Sequence, residues 1–373
     1  MTMPNNRAAW LTAKKVKPLD IRPAPYTPPG EDEIVIRARA VAINPVDCFK
    51  QEAGDLLYGW VKYPCILGND VAGEVVEVGT GAAAKRFSVG DRVLGHAIGL
   101  DKRSNKPSEC GFQEHVVLRS KLASPIPDSM TFEEACVIPL GASTAACGLF
   151  MEDILNLQLP NVDSKPNGKT LLVWGGSTSV GCNAIQLAVA AGYEVIATSS
   201  PTNFGYLKSL GAADVFDYRS PTVFRDIIAA FEQRESAGAL AVGAGSMIPC
   251  VDIVGAVGGR KFVAQASVAG KGSPPSTASE LLAAIWAVTR ESFIVYFKSM
   301  FKGVGRKFIW GSDVIASEIG AAIYRDFLPE ALEQQKFVAA PKPHVVGRGL
   351  EAVQEGFDIL MKGVSAKKIV VSL

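Results

Sequence analysis

The sequence predicts a two-domain α/β protein, with a β-rich domain first and a doubly wound parallel sheet after it. Three observations carry that prediction. The first third holds short runs in which apolar and polar residues alternate, and from about Pro139 onward apolar runs alternate with helix-length windows. The chain also carries 36 glycines in 373 residues, many placed just after apolar runs, where an α/β chain turns from strand to helix. A chain of this length has room for two domains of about 100–200 residues each.

Glu33–Ile43 (EIVIRARAVAI) alternates as a half-buried strand does. Val71–Val78 and Gly90–Leu94 follow, separated by the turn at Gly79–Gly81, and Gly111–Leu118 completes the set. Short strands at this spacing suit a compact antiparallel barrel or sandwich. Beyond Pro139, strands are predicted over Thr170–Trp174, Glu194–Thr198, Ala213–Phe216, Leu240–Val242 and Arg260–Ala264, with helices over Val180–Ala191 and Asn203–Leu210. This βαβ rhythm implies a parallel sheet. Long amphipathic helices are predicted over Ile319–Leu332 and Gly349–Lys362, and a last strand over Lys367–Leu373. The stretch Val268–Phe308 carries Trp286, Phe293, Tyr296, Phe297, Phe301 and Phe308. At helical spacing most of these read as helix core, and a minority as the lining of a long hydrophobic tunnel.

Composition narrows the class. Lys and Arg number 38 against 37 Asp and Glu, a net charge of +1, so no global field gathers nucleic acid or an anionic membrane. Apolar residues at 48% and charged residues at 20% are globular proportions. Runs such as Leu281–Val288 fall short of the ~20 residues a membrane helix needs, and Met1–Trp10 has no apolar core of signal-peptide length. Seven cysteines, Cys48, Cys65, Cys110, Cys136, Cys147, Cys182 and Cys250, are odd in number and never spaced C-x-x-C. Free thiols in a cytoplasmic protein fit them best, with neither nucleic acid nor membrane as a partner.

The sharpest motif is Leu171–Gly181, LLVWGGSTSVG. An apolar strand runs into Gly175 and Gly176, then the hydroxyls of Ser177 and Thr178, and Val180–Gly181 opens a helix. Glycines let a backbone approach a dinucleotide pyrophosphate, and a helix start offers N–H groups and a positive dipole end. The strict G-x-G-x-x-G is absent, and a glycine-rich structural turn is the competing reading. At the next strand end, Ser199, Ser200, Pro201, Thr202 and Asn203 stand where NAD-specific folds place an acid for the ribose 2′-hydroxyl. Hydroxyls there, with Lys208 nearby, suit a 2′-phosphate and therefore NADP(H), while Ser200 also suits a helix cap. Tyr218, ending the following strand, is a candidate for the adenine face or for packing.

These segments resemble the medium-chain dehydrogenase/reductase superfamily, in its zinc-independent quinone- and enoyl-reductase branch. The resemblance rests on Ala40–Asp47 (AVAINPVD), Pro64–Gly79 (PCILGNDVAGEVVEVG), Val89–Gly95 (VGDRVLG), Leu171–Gly181, Ser209–Tyr218 and Lys367–Val371. Details at Gly175–Thr178, Ser200–Asn203 and Phe216–Arg219 resemble fungal trans-acting enoyl reductases and fungal "zinc-binding oxidoreductase" proteins. The resemblance implies a GroES-like barrel over residues 1–144, completed by 313–373, and a Rossmann domain over 145–312, with the active site in the cleft between them. Zinc enzymes of this superfamily carry a cysteine where this chain has Asn44, and His-Glu where it has Asn69–Asp70; their four-cysteine lobe is missing. Asn is a poor zinc ligand, so no metal is expected. His96, after a strand, is a candidate to face the cleft, although a lone histidine is more often a structural hydrogen-bonder.

Asp47, Cys48 and Phe49 are then expected on the nicotinamide side, with Phe49 where many relatives carry a lysine and Lys50 one residue late. Pro139, Gly141, Ser143 and Thr144 resemble the segment near substrate; Thr144 would bind a ribose or acyl oxygen, or cap the following helix. Tyr58 and Tyr63 are candidate proton donors, although each reads more readily as a wall residue and solvent is an alternative proton source, and Val364 and Ser365 match cofactor contacts. The implied activity is hydride transfer from NADPH to an activated C=C bond or a quinone. The acceptor would be a small molecule or a carrier-bound acyl chain, and the enzyme a monomer or homodimer. Two alternatives stay open: a metal-free ketone or alcohol dehydrogenase, and an NADPH-binding sensor or partner protein with weak turnover.

Overall fold

The computed structural model describes residues 4–56, 58–266 and 277–373, and they fall into two compact units. Unit 1 comprises residues 1–140 with 320–373, and unit 2 comprises 141–319. Of the aromatic-rich stretch, residues 267–276 lie outside the described residues.

Unit 1 begins with β1 (Asn6–Leu11), β2 (Asp20–Ala24), β3 (Glu33–Ala42), α1 (Pro45–Ala53), β4 (Cys65–Ile66), β5 (Asp70–Val78), β6 (Arg92–His96), β7 (His115–Arg119), β8 (Ala123–Pro125) and α2 (Phe132–Ala135). At the boundary lies α3 (Pro139–Phe150). Unit 2 continues with β9 (Lys169–Trp174), α4 (Ser179–Ala190), β10 (Glu194–Ser199), α5 (Phe204–Ser209), β11 (Asp214–Asp217), α6 (Val223–Ala230), β12 (Glu235–Ala241), α7 (Met247–Ala256), β13 (Phe262–Gln265), α8 (Ala278–Lys302) and β14 (Gly305–Phe308). The chain returns to unit 1 with α9 (Ile319–Ala321), α10 (Leu328–Glu333), β15 (Lys342–Arg348), α11 (Val353–Lys362) and β16 (Lys367–Ser372).

In unit 1, a seven-stranded sheet runs β15-β16-β3-β5-β6-β8 with β7 also on β3, beside a small sheet β2-β1-β4. Strand β3 earns its central place by its alternation: Ile34, Ile36 and Val41 are buried in one apolar cluster with Val71, Val93, Phe112, Phe357 and Ile369. The strand expected over Gly111–Leu118 starts only at His115. Its first residues are diverted instead: Gly111 N donates to Gly68 O at 2.8 Å and Phe112 N to Leu67 O at 2.9 Å, which pins the loop before β5.

Unit 2 is a parallel sheet in the order β11-β10-β9-β12-β13-β14, the doubly wound order whose switch point lies beside the first strand. Its core includes Leu172, Ile196, Ile227, Ala239 and Val251.

Residues 319–333 are helical without interruption, as expected, but as α9, a π-helical stretch Ala322–Phe327 and α10 in direct succession. Pro329, second in α10, has no N–H to continue the ladder, which explains the wider turn before it. The core reading of the α8 aromatics is corrected. Trp286 is 67% exposed, Phe293 59% and Phe301 81%, and Tyr296 and Phe297 are exposed too. Periodicity shows that a helix face is apolar, but it does not show that anything covers it. The opposite side packs: Val295 is buried, and Lys298 and Lys302 pair with Asp252 of α7.

Candidate active site

In unit 2, β9 delivers the chain at Trp174 into a turn that only glycine can make. Gly175 has φ +86°, and a Cβ on it would stand 2.5 Å from Val242 O; one on Gly181 would stand 2.3 Å from Gly175 O, and one on Gly176 2.6 Å from Leu207. The turn is tied to the neighbouring strand end, with Gly175 N donating to Thr198 Oγ1 at 3.0 Å and Gly176 N to Thr198 O at 2.8 Å. Thr178 caps α4, its Oγ1 accepting from Gly181 N at 3.0 Å and donating to Gly175 O at 2.8 Å. Ser177, Thr178 and Val180 are half-buried, at the dipole-positive end of a twelve-residue helix whose first N–H groups have no intrahelical acceptor. A backbone this closely drawn in, open at the helix start, fits a pyrophosphate.

Helix α3 lies against this cradle. A Cβ on Gly141 would meet Ser179 Oγ and Asn183 Nδ2, both at 2.7 Å, so Gly141 permits the close approach of α3 to α4. Ser143 and Thr144 are buried on α3. Thr144 is the sixth residue of that helix, which overturns the reading of it as a cap. Pro139, on the unit 1 side of the boundary, accepts from the Tyr324 hydroxyl at 2.7 Å.

At the tip of β10, Ser199 is buried and donates to Ser200 O at 3.0 Å, and Asn203 Nδ2 donates to Ser200 Oγ at 3.1 Å. Ser200 and Thr202 hydroxyls lie 3.3 Å apart, and Pro201 is exposed. Ser199 pairs in register with Asp217, so the segment just past β11 runs beside this tip. Tyr218 is 47% exposed, which removes the packing alternative. The Arg219 guanidinium lies 5.5 Å over its ring and holds Asp217 through Nε at 3.1 Å. The sequence reading gave Arg219 no cofactor role; its signal was a cation two residues beyond the end of β11.

Unit 1 gathers the other group. Asn44 opens α1, and its N–H donates to Asp47 Oδ2 at 2.9 Å; Asp47 Oδ1 accepts from Gly68 N at 3.1 Å and Asn69 Nδ2 at 2.9 Å. Asp47 is fully buried, and that burial raises its pKa to about 7 against the pull of the Asn44 and Gly68 N–H groups. Asp70 accepts from Asn44 Nδ2 at 2.8 Å, Leu140 N at 2.6 Å and the Lys368 ammonium at 2.8 Å. Lys368, 4% exposed, also donates to Asn44 Oδ1. His96 pairs in register with Asp70 and is buried, and burial lowers its pKa to about 4. It is a neutral interior side chain, which fits the structural one of its two readings.

Cys48 turns its thiol toward Phe357 O at 4.0 Å in the barrel core, and burial pushes its pKa far up, so its side chain is a packing group. Phe49 is exposed. Lys50, wholly buried, donates to Tyr58 O at 3.1 Å, lies 3.3 Å from Asp55 Oδ1 and stands 4.7 Å from the Tyr63 ring centroid. It therefore holds the loop that carries both tyrosines. Tyr58 sits at φ +53°, and burial drives its phenol well above the ordinary range; the Tyr63 phenol is raised to about 12 by burial. Val364 and Ser365 are exposed in the connection from α11 to β16. Lys50 and Lys368 were not assigned from sequence, although a lysine on the inward phase of KKIVV was visible. Among the described residues no cluster of His, Cys, Asp and Glu is arranged to hold a metal ion.

Residues 30–128 match the alcohol dehydrogenase GroES-like domain family. The chain is 52% identical to a dehydrogenase of Monascus ruber, over 100% of both chains. It is 37% identical to a trans-enoyl reductase of Aspergillus japonicus, covering 99% of this chain and 97% of that one. In fold it is similar to the CurK enoyl reductase, with a TM-score of 0.72 at 20% identity over 98% of this chain and 99% of that chain. A two-part chain of GroES-like and doubly wound units, matched end to end by such relatives, is an oxidoreductase and belongs to the medium-chain dehydrogenase/reductase superfamily.

Proposed function

We propose that the protein is an NADPH-dependent reductase that works without zinc and reduces an activated C=C bond in an enoyl or alkenal acceptor, free or carrier-bound, or a quinone. The tip of β10 carries the cofactor choice. Hydroxyls of Ser200 and Thr202 and the Asn203 amide meet there, Arg219 follows two residues past the end of the neighbouring β11, and β10 ends in Ser199 where NAD-specific folds carry an acid. A planar guanidinium with hydroxyl donors is the donor set a 2′-phosphate recruits.

The zinc-free reading rests on the Asn44–Asp70–Lys368 network. Amides already bonded to carboxylates are weak zinc donors, and the Lys368 ammonium 2.8 Å from Asp70 would oppose a divalent cation. Without a Lewis acid an isolated ketone is hard to polarise, whereas a conjugated acceptor needs less help. The bound cofactor supplies hydride from nicotinamide C4. The chain's part is to hold it: the cradle fixes the pyrophosphate, Gly141 seats α3 beside the cradle, and the Thr144 hydroxyl serves an acyl or ribose oxygen. Tyr58 keeps its proton at neutral pH and acts as a hydrogen-bond donor, while water protonates the α-carbon.

Chelator-treated protein should consume NADPH when offered a conjugated enoyl thioester, an alkenal or a quinone, and should strongly prefer NADPH to NADH. Activity that returns only with added zinc would overturn the zinc-free reading. Equal use of NADH would overturn the assignment at β10.

A further inference from the structure

The outward face of α8 belongs to neither the cradle nor the barrel network. Along it run Leu282, Ile285, Trp286, Thr289, Phe293, Tyr296, Phe297 and Met300, all exposed. None is charged, and the Thr289 hydroxyl donates back to Ile285 O at 2.7 Å, which leaves its methyl outward. At 3.6 residues per turn these positions form one continuous stripe. Their spacing has a second property, because it reads the same from either end about Glu291. Leu282 and Met300, Ile285 and Phe297, Trp286 and Tyr296, and Thr289 and Phe293 are each equidistant from that residue. A two-fold axis perpendicular to the helix at Glu291 therefore lays the stripe onto a copy of itself, antiparallel, with these four pairs in contact. That is the self-complementarity an isologous dimer requires.

The area agrees. Aromatic side chains bury 150–250 Å² each when covered, and at their exposures the stripe offers roughly 1,000 Å², against about 800 Å² per partner in a standard stable interface. Charge argues against one other occupant and one other dimer surface. An in-plane membrane helix turns its cations to headgroups, but Lys298 and Lys302 are drawn to Asp252 and Arg290 lies 5.8 Å over the Trp286 ring. The sheet edge at β14 presents exposed Arg306 and Lys307, a charged edge that discourages strand pairing between copies.

We infer that the protein forms a two-fold homodimer through antiparallel pairing of α8, with the axis crossing the stripe at the level of Glu291, which faces the other way. The test is sedimentation and cross-linking of the full chain and does not depend on the proposed reaction. At micromolar concentration the wild type should sediment at twice its 39.5 kDa chain mass. The Trp286→Glu/Phe297→Glu variant should raise the dimer dissociation constant at least ~100-fold, with an unchanged circular-dichroism melt as the check on folding. An Ile285→Cys/Phe297→Cys variant should oxidise to a covalent dimer, while neither single cysteine does. The native cysteines are all buried and will not compete. If the glutamate variant does not fold, the cysteine pair decides. A monomeric wild type, a dimer indifferent to the glutamates, or a monomer that co-pellets with phosphatidylserine vesicles would each overturn the inference, the last by assigning the stripe to lipid.

Discussion

Removing the Lys368 ammonium would leave the Asp70 carboxylate buried against Asn44 and the Leu140 N–H with no cation beside it. Breaking one side of a buried pair typically costs about 3–5 kcal/mol. Lys368→Met should therefore lose that much stability in urea unfolding at neutral pH, and a loss below ~1 kcal/mol would show that the pair is solvated. His96 supplies a second test, with pH as the variable. Its folded pKa of about 4 lies below the ordinary 6.5 of an imidazole, so the unfolded chain binds its proton first as pH falls. Its contribution is complete above pH 6.5 and is lost toward pH 4, at about 1.4 kcal/mol per unit. His96→Gln should therefore gain on the wild type by about 3 kcal/mol between pH 7 and pH 4, read from paired denaturation curves. A constant difference across that range would mean that the imidazole is not desolvated.

At the scale of elements, the tip of β10 and the cradle below it make separable demands. Ser200→Asp puts a negative charge beside Thr202 and Asn203, so NADPH affinity should fall at least ~10-fold more than NADH affinity, since one close like-charge contact is worth a kcal/mol or more. Arg219→Ala should shift the preference the same way by removing the cation. Titration by cofactor fluorescence reads both, and equal losses for the two cofactors would sink the assignment. Gly176→Val instead drives a side chain into Leu207 and Ala197 and should abolish binding of either cofactor.

These elements were largely legible from sequence, because burial on one or both faces leaves period-two or continuous apolar runs. The ends of β9, β10 and α4 fall within a residue of their expected places. Three features were not legible, because an apolar pattern shows neither where a neighbouring loop captures the chain nor how a proline or an early start shifts a helix. Phe112 is pulled off β7 by the loop at Gly68, Pro329 disturbs a helix whose apolar pattern is intact, and Thr144 lies mid-helix because α3 begins earlier, at Pro139. Arg219 was hidden for a related reason, since it is the β10–β11 register, with Asp217 opposite Ser199, that brings its segment to the β10 tip.

At the scale of the whole molecule, connectivity makes the two units unequal. Unit 2 is one uninterrupted stretch whose six parallel strands enclose their own core. Unit 1 is discontinuous, and its last strand is not trim: β16 lies between β15 and β3, pairing Val370 with Ala42 and burying Ile369, Val370 and Val371. It also carries Lys368 to Asp70. A chain ended at Gly349 thus loses one of the three partners of β3, the buried residues of α11 and the ammonium in one cut, and each isolated loss costs about 2–5 kcal/mol. Together they match the 5–15 kcal/mol that holds an ordinary domain folded. The shortened chain should therefore lose amide protection across β3, β5 and β6 while keeping it in β9, β10 and β12, which belong to unit 2. Hydrogen exchange with mass spectrometry reads both sets of strands in one sample. Protection retained in β3 and β5 would mean that the barrel closes without its last strand. Protection lost in β9 and β10 as well would mean that the two units fold as one.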